Sequence, residues 1–288
     1  MANMRAIRSR IKSVKNTQQI TKAMKMVAVS KLRRTQAGMN AMRPFAENSQ
    51  RMLDTLLCGE NAPDNRFITP HPEVKKVCYV LFLGNRGLCG MYNSALMHFM
   101  RELADKETRD YSLIVCGRWG RDVLTKSGMP VSEVLSELSD TPTEHEALGL
   151  SDHLKELFLS GEADEVHLVY QQYISALSQR PASMQLLPVK AQRRSADDRG
   201  TEFIFEPSAE SVLESVMQLY INNKVLSVML EAKSGEHSSR MTAMTAATDN
   251  TKELIGKLGL SLNRARQAAI TTEISEIVGG AAALKKKH

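Results

Sequence analysis

Hydrophobic residues near the C-terminus of this chain recur at a helical period. Apolar and small residues alternate there in steps of three and four, which is the heptad spacing of a left-handed coiled coil. The ten positions are Met241, Met244, Thr248, Thr251, Ile255, Leu258, Leu262, Ala265, Ala269 and Thr272. Their side chains become small toward the end of the stripe, so less apolar area is buried per turn there and the two helices can approach closely.

A second, weaker stripe lies near the N-terminus. It begins with Ile7, Ile11 and Val14. Polar residues at 16–19 interrupt this stripe, and it resumes one position out of register with Ile20, Met24 and Val27. We therefore expect the two ends of the chain to form helices that pair with each other, with a displaced contact line in the N-terminal helix.

The distribution of proline supports long helices at both ends. No proline precedes Pro44 or follows Pro207, and a proline inside a helix costs about 3 kcal/mol. We predict an N-terminal coiled-coil helix over residues 1–57 and a C-terminal one over residues 208–288. From Ser208 to about Ala283, at about 1.5 Å per residue, the C-terminal helix would run for roughly 110 Å, far beyond the width of a compact domain of this size.

Between these ends, short apolar runs alternate with turns and helical stretches. The predicted strands are 77–83, 111–116, 166–174 and 184–189. Strand, turn and helix in alternation are typical of a doubly wound sheet. We therefore predict a central Rossmann-like α/β domain over residues 74–190, and an α/β fold class that combines this domain with the terminal coiled coil.

The turn after the first predicted strand carries Gly84, Gly87 and Gly90. Their spacing matches neither the dinucleotide fingerprint nor the P-loop, and no Lys-Ser/Thr pair follows to meet phosphates. We interpret them as turn glycines that leave Arg86 on an exposed loop. No nucleophile motif or acid pair is recognisable elsewhere. The sequence predicts a protein that is not itself an enzyme and needs no cofactor.

Basic residues are concentrated at the N-terminus. The first 46 residues contain eleven Lys or Arg and no Asp or Glu, although the whole chain has a net charge of only +6. A solvated helix face, an acidic protein or nucleic-acid contact, and a mitochondrial presequence all remain open as explanations. Nucleic acid is disfavoured, because no aromatic residue precedes Phe45 to stack on bases.

Apolar runs and cysteine spacing exclude other classes. The longest purely apolar run, 77–83, has seven residues, too few to cross a bilayer. The cysteines have no C-x-x-C spacing and lie largely in apolar stretches, so we expect buried free thiols: Cys58, Cys78, Cys89 and Cys116. The seven histidines form no i, i+4 pair, and we expect no metal site.

Four sequence blocks together resemble the gamma chain family of F-type ATP synthases. They are RSRIKSVKNTQQITKAMKMVAVSKLRRTQ near the start, NRGLCG in the glycine turn, SRMTAMTAATDN, and RQAAITTEISEIVGGAAA near the end. The blocks occur in the family's order and extend over nearly the whole chain. The last block is highly selective, and the basic N-terminus is similar to a mature helix of the family, which argues against a presequence.

The resemblance implies a rotor. In this family the terminal helices form an antiparallel coiled coil inside a ring of three alpha and three beta chains. The α/β module lies outside that ring, beside the epsilon chain and the membrane ring of c-subunits. Proton flow turns the rotor, which drives ATP synthesis at the beta chains. We expect a bacterial protein at the cytoplasmic face of the inner membrane, peripheral and without insertion into the bilayer.

The resemblance also implies partner contacts. Contacts with the beta chains are expected at Met24, Lys25, Arg86, Arg240, Arg266, Gln267 and Thr271, and contacts with the membrane ring at Phe203, Phe205 and Glu206. Of these, Arg266, Gln267 and Thr271 resemble a catch near the tip of the coiled coil. Lys25 stands where some relatives carry an acidic residue, and Asn85 stands where an Asp is common.

Two alternatives to the rotor come from other classes. A basic coiled-coil module that binds nucleic acid or an anionic membrane surface would account for the positive charge at the N-terminus. It leaves the Ala- and Thr-rich C-terminal end unexplained. A nucleotide-binding enzyme of Rossmann type is the third hypothesis, and the missing phosphate motif counts against it.

Overall fold

The computed structural model describes residues 2–57, 65–71, 73–124, 128–135, 138–190, 206 and 208–285. Two long helices enclose, in sequence order, a five-stranded sheet with its own helices. The helices are α1 (Ala2–Leu56), α2 (Tyr92–Lys106), α3 (Arg118–Leu124), α4 (Glu144–Leu159) and α5 (Ala209–Lys285). The strands are β1 (Lys76–Phe82), β2 (Asp110–Cys116), β3 (Val131–Leu135), β4 (Glu165–Tyr173) and β5 (Gln179–Leu187). The predicted fold class is confirmed.

The sheet has the strand order β3-β2-β1-β4-β5. β1 pairs in parallel with both β2 and β4, and β2 pairs in parallel with β3. β5 runs antiparallel to β4. The apolar residues of β1 are buried from Val77 to Phe82, as expected for a central parallel strand with both faces covered.

Strand β3 was missed by the sequence analysis. Its sequence is Val-Ser-Glu-Val-Leu, and none of its residues is fully buried. Because β3 is an edge strand, two polar residues are tolerated in it, and the apolar run that reveals central strands is missing. Edge position therefore explains why hydrophobic patterning did not identify it.

Helices cover both faces of the sheet. On one face, α2 packs its Leu96 and Met100 against a core that includes Leu81 and Val115. The core on the other face combines α4 with the end of α1 and the first part of α5, and it includes Phe82, Leu154, Phe158, Leu53 and Met217. Three layers result, as in doubly wound α/β folds.

Contacts divide the chain into two units, Met1–Val27 with Met241–His288, and Ala28–Arg240. In the Ala28–Arg240 unit, the hydroxyl oxygens of Thr35 and Ser234 are 2.9 Å apart. Further along α1, Gly38 approaches Leu230 so closely that an added Cβ would lie 3.2 Å from its side chain. Increasing numbers in α1 thus meet decreasing numbers in α5, so the two helices are antiparallel in this unit.

The contact line of α1 in the other unit differs from the prediction. Ile20 and Val27 are 60% and 53% exposed. Gln18 and Thr21 take the inward positions instead, and the Thr21 and Thr248 hydroxyl oxygens lie 2.9 Å apart. The predicted shift of register after residue 14 is therefore wrong. Polar side chains can occupy heptad positions where they find a hydrogen-bonding partner.

The heptad of α5 is confirmed over most of its length. The positions from Met241 to Ala269 that were predicted to face inward are all buried or half-buried. Thr272 is a correction, because it is exposed, as is every residue from 270 to 281. α5 therefore ends in an exposed segment that carries Ile270, Ile274 and Ile277 at its surface.

Cys78, Cys89 and Cys116 are free and buried, as predicted, while Cys58 lies outside the described residues. Burial raises the pKa of the Cys78 thiol to about 11. Within the described part of the chain, no helix combines the length and apolarity that crossing a bilayer requires.

Candidate functional site: a polar collar around helix α5

Helix α5 has its most complete burial within a polar stretch of its sequence. Residues 232–238 are buried without interruption, and Ser239 and Arg240 are half-buried. The sequence there is Ala-Lys-Ser-Gly-Glu-His-Ser-Ser. A surface helix normally buries one stripe, and a helix buried on every side is normally apolar. Lys233 and Glu236 are nevertheless only 2% and 1% exposed, so this segment must be satisfied by polar partners.

Three loops supply most of those partners, and all three follow strands of the parallel sheet. They are residues 84–91 after β1, residues 138–140 after β3 and residues 174–178 after β4. Because the carboxyl ends of parallel strands lie along one edge of a sheet, the three loops come together there. We call residues 233–240 of α5 and these three loops the polar collar.

Two of the loops contact α5 through backbone carbonyl groups. His237 Nε2 is 2.9 Å from the carbonyl oxygen of Asp140, in the loop after β3. The Ser238 hydroxyl donates to the carbonyl of Ala176, in the turn between β4 and β5, at 2.5 Å. Burial lowers the pKa of His237 below its ordinary value, which favours the neutral imidazole, with Nε2–H as the donor.

The loop after β1 contacts the next two residues of α5. The Ser239 hydroxyl donates to the carbonyl of Cys89 at 2.6 Å. Arg240 Nη2 reaches the carbonyl oxygens of Arg86 and Gly87 at 3.3 and 3.4 Å. Four consecutive residues of α5 thus contact three different loops.

A buried ion triad lies within the collar. Glu236 Oε2 is 2.9 Å from Lys233 Nζ, and its Oε1 is 2.8 Å from Arg240 Nη2. Burial alone would raise the pKa of the Glu236 carboxyl, but the two cations outweigh burial and lower it. Both carboxylate oxygens therefore serve charged donors, and Glu236 is ionised.

Gly84 makes room for this carboxylate. A Cβ added at Gly84 would lie 3.1 Å from the Glu236 carboxyl group. Gly90 has a positive φ of 58°, as the predicted turn requires, while Gly87 shows neither a positive φ nor a close neighbour. Leu88 also has a positive φ of 59°, which is uncommon for a residue other than glycine.

The collar also reaches α1. The Lys31 ammonium forms an ion pair with the Asp140 carboxylate, and Gln36 Nε2 donates to the Tyr173 hydroxyl at 2.6 Å. Burial alone would raise the pKa of Asp140, but Lys31, together with His237 and Lys233, outweighs burial and lowers the pKa. Asp140 therefore contacts α1 through its side chain and α5, at His237, through its backbone.

The structure brings two of the predicted contact residues together in the collar. Arg86 is exposed on its loop, as predicted. The Arg240 side chain is only 12% exposed and pairs with Glu236. Asn85, at the neighbouring position, donates through Nδ2 to the carbonyl of Leu138 at 2.6 Å.

The other predicted contact residues lie elsewhere. Met24 and Lys25 are half-buried on α1, and Glu206 is exposed just before α5. Three residues are exposed near the C-terminal end of α5: Arg266, Gln267 and Thr271. Phe203 and Phe205 lie outside the described residues.

Sequence reasoning missed the buried members of the collar, notably Lys233, Glu236, His237 and Asp140. One signal was available: residues 232–239 contain no large apolar residue, although they interrupt a helix with apolar positions on both sides. Such a gap indicates either full exposure or a polar environment inside the protein, and the sequence alone does not distinguish between them.

The collar fills the crevice that binds ligands in many doubly wound folds. That crevice opens at the carboxyl ends of the strands where the strand order reverses, which here is between β1 and β4. A Cβ added at Gly235 of α5 would lie 3.2 Å from Gln171 of β4, and Glu236 lies against Gly84 after β1. Among the described residues, no group of three or more His, Cys, Asp or Glu side chains is arranged to hold a metal ion.

Comparisons with known proteins agree along the whole chain. The model of the family described as ATP synthase matches residues 3–284. The "ATP synthase gamma chain" of Desulfitobacterium hafniense is 45% identical over 285 residues, 99% of this chain and 100% of that protein. The "ATP synthase gamma chain" of Desulforamulus reducens is 44% identical over 288 residues, with the same coverage.

A solved structure supports the fold independently. The chain matches the rotor of the Euglena gracilis mitochondrial ATP synthase, solved by cryo-EM in rotational state 1, with a TM-score of 0.66 at 20% identity. The match covers 93% of this chain and 99% of that one. At this level of identity the likeness supports the fold alone.

Proposed function

Because the chain belongs to the ATP synthase gamma chain family, we infer that it is the central stalk subunit of an ATP synthase and couples proton flow to ATP synthesis. The observation that carries this inference is the match to gamma chains of other bacteria over the full length of both chains. The partners that follow are the alpha and beta chains of the catalytic hexamer, the epsilon chain and the membrane ring of c-subunits.

The two units described above suit different parts of this task. The paired helices of the Met1–Val27 and Met241–His288 unit have a thin contact line in which apolar residues are mixed with small and polar ones. We assign this pair to the inside of the catalytic hexamer. A rotor can bias a catalytic site only if it contacts the conformations of that site differently. Asymmetric contact of the turning pair with the beta chains supplies such differences.

The first contact residues follow from the family resemblance, and their exposure suits this role. Arg266, Gln267 and Thr271 are exposed on α5 near its C-terminal end, where they can hydrogen-bond to loops of the hexamer. Arg86 presents an exposed guanidinium from the collar, and we assign it to a second, lower contact with the beta chains. Exposed charge pairs are weak and screened by salt, so they can break and reform as the rotor turns.

The remaining contacts follow from the same resemblance. We assign Met24, Lys25 and Arg240 to the levers of the beta chains. For Arg240 this contact must coexist with the pairing to Glu236, which leaves the arginine side chain 12% exposed. We assign Phe203, Phe205 and Glu206 to the membrane ring.

We assign no catalytic role to the chain itself. The crevice that holds nucleotides in many doubly wound folds is filled here by Gly235 and Glu236 of α5. A ligand there would have to displace a buried helix and separate the carboxylate from two cations. Catalysis then belongs to other chains of the assembly, and this chain acts peripherally at the cytoplasmic face of the bacterial inner membrane.

Reconstitution tests this function. The purified chain is mixed with the alpha and beta chains of a bacterial ATP synthase, and steady-state ATP hydrolysis is measured with and without it. We expect fast, cooperative hydrolysis only in its presence. The same hydrolysis rate without the chain would contradict the rotor function. Tight, stoichiometric ATP binding to the isolated chain in calorimetry would contradict its non-catalytic role.

A further inference from the structure

We propose that the polar collar is a fixed joint, which prevents α5 from turning or sliding within the Ala28–Arg240 unit while the rotor carries torque. This proposal rests on the rotor function inferred above and adds the residues that transmit the load within this chain. Glu236, His237 and Asp140 are its positioning residues.

Partners surround α5 on every side of the collar. Successive residues of an α-helix point about 100° apart, so five consecutive residues cover the full circumference. Glu236 lies against the turn after β1, and the next four residues contact the loops after β3, β4 and β1 in turn. α1 adds a further contact through the Thr35 and Ser234 hydroxyl groups. A helix held from all directions cannot roll out of its site.

The contacts of the collar fix a single register of α5. A slip by one residue would move α5 by about 1.5 Å and rotate it by about 100°. The carboxylate of Glu236 would then leave its two cations, and each serine would lose its carbonyl partner. Apolar surfaces attract without direction and tolerate sliding, whereas buried charges and hydrogen bonds do not. The polar composition of residues 233–240 therefore suits a segment that holds α5 in one position, and not a surface along which α5 slides.

Asp140 connects both long helices to the sheet. Its carboxylate pairs with Lys31 of α1, and its carbonyl accepts from His237 of α5. The loop that carries it is itself anchored, because Ser139 hydrogen-bonds to Glu146, which closes the capping box at the start of α4. A force on α1 or α5 is thus transmitted through residues 138–140 to α4, which packs on the sheet.

A covalent lock tests whether the joint stays closed during rotation. The hydroxyl oxygens of Thr35 and Ser234 are 2.9 Å apart, so Thr35→Cys with Ser234→Cys places two thiols within reach of a disulfide. The complex is assembled with this variant, and ATP hydrolysis and proton pumping are measured before and after oxidation. The single variant Ser234→Cys, oxidised in the same way, controls for the native cysteines.

We expect the oxidised double variant to retain both activities within about twofold of its reduced form. A loss of tenfold or more that a reductant reverses would show that the helices must move here, and would overturn the proposal. Failure of the unaltered chain to support hydrolysis at all would instead contradict the rotor function, so the two outcomes are distinguishable.

A loosened joint provides the complementary test. Glu236→Gln removes the charge that fixes the triad, and Ser239→Ala removes one hydrogen bond while leaving every charge in place. Glu253→Gln is the matched control, because Glu253 pairs with Lys257 at the surface of α5, with both side chains at least 64% exposed. Hydrolysis without load is compared with the steady proton gradient that the complex builds in vesicles.

For Glu236→Gln we expect the proton gradient to fall at least threefold more than the rate of hydrolysis without load. A helix that can shift within the collar transmits less torque when the rotor works against a gradient. Ser239→Ala should show the same bias to a smaller degree, and the control should show none. Equal effects on both readouts in Glu236→Gln and Ser239→Ala, or no effect in either, would show that the collar does not transmit torque.

Discussion

Replacing Glu236 with glutamine tests the buried ion triad of the collar in terms of stability. The substitution keeps the size of the side chain and removes its charge. Lys233, 2% exposed, then has no carboxylate within the triad, while Arg240, 12% exposed, can still turn toward water. Breaking a buried ion pair by removing one partner costs about 3–5 kcal/mol. Because one of the two cations can rehydrate, we expect about 3 kcal/mol.

The partner substitution Lys233→Met should cost less. It leaves Glu236 paired with Arg240 at 2.8 Å, so no buried charge is left alone. The loss then approaches that of one charge-assisted hydrogen bond, which is about 1.5–3 kcal/mol, and the apolar methionine offsets part of it. The informative result is which variant loses more stability. Removing a carboxylate that is shared by two cations must cost more stability than removing either cation.

Thermal unfolding of the purified full chain is the assay. For a unit of this size, about 1 kcal/mol shifts the midpoint by roughly 2–4 °C, so Glu236→Gln should lower it by about 6–12 °C. Lys233→Met should lower it by less, and the surface variant Glu253→Gln should leave it unchanged. If Lys233→Met destabilises as much as Glu236→Gln, or if Glu236→Gln shifts the midpoint by less than about 2 °C, the triad does not act as described.

Three other predictions follow from the same structure. Gly84→Ala places a Cβ 3.1 Å from the collar carboxylate, so it should lower the thermal midpoint, whereas Gly87→Ala, with no atom within 4 Å, should not. Arg109 lowers the pKa of Glu107 to about 2. The free energy of unfolding should therefore fall by about 1–3 kcal/mol as the pH drops from about 4.5 toward 2, and it should depend less on pH over this range in Glu107→Gln. Arg266→Ala with Gln267→Ala should slow turnover of the assembled complex without changing thermal unfolding, because both side chains are exposed; normal turnover would contradict their role as contacts.

The sequence predicted the parts of the fold that depend on local hydrophobic patterns. The heptad from Met241 to Ala269 was identified because apolar and small residues repeat at one helical period. β1 was found because a central parallel strand is buried on both faces and is apolar throughout. Arg86 was correctly expected on an exposed loop, since glycines at 84, 87 and 90 indicate a turn whatever its environment.

Other features escaped because contacts distant in sequence decide them. Gln18 and Thr21 face inward in place of the more apolar Ile20 and Val27, since the inward position of Thr21 is set by the helix it meets at Thr248. The collar depends on three loops that the sheet topology brings to one edge, so no local pattern around Glu236 indicates its burial. Hydrophobic periodicity reports which face of an element is apolar, but it does not report where polar groups find partners.

Direct observation of rotation tests the central claim. The complex of this chain with alpha and beta chains is fixed to a surface through the beta chains, and a bead is attached to an exposed residue of the chain. On addition of ATP, we predict continuous rotation of the bead in one direction, which stops when ATP is exhausted. If the complex hydrolyses ATP at its full rate while the bead stays still or moves without a preferred direction, the chain is not the rotor.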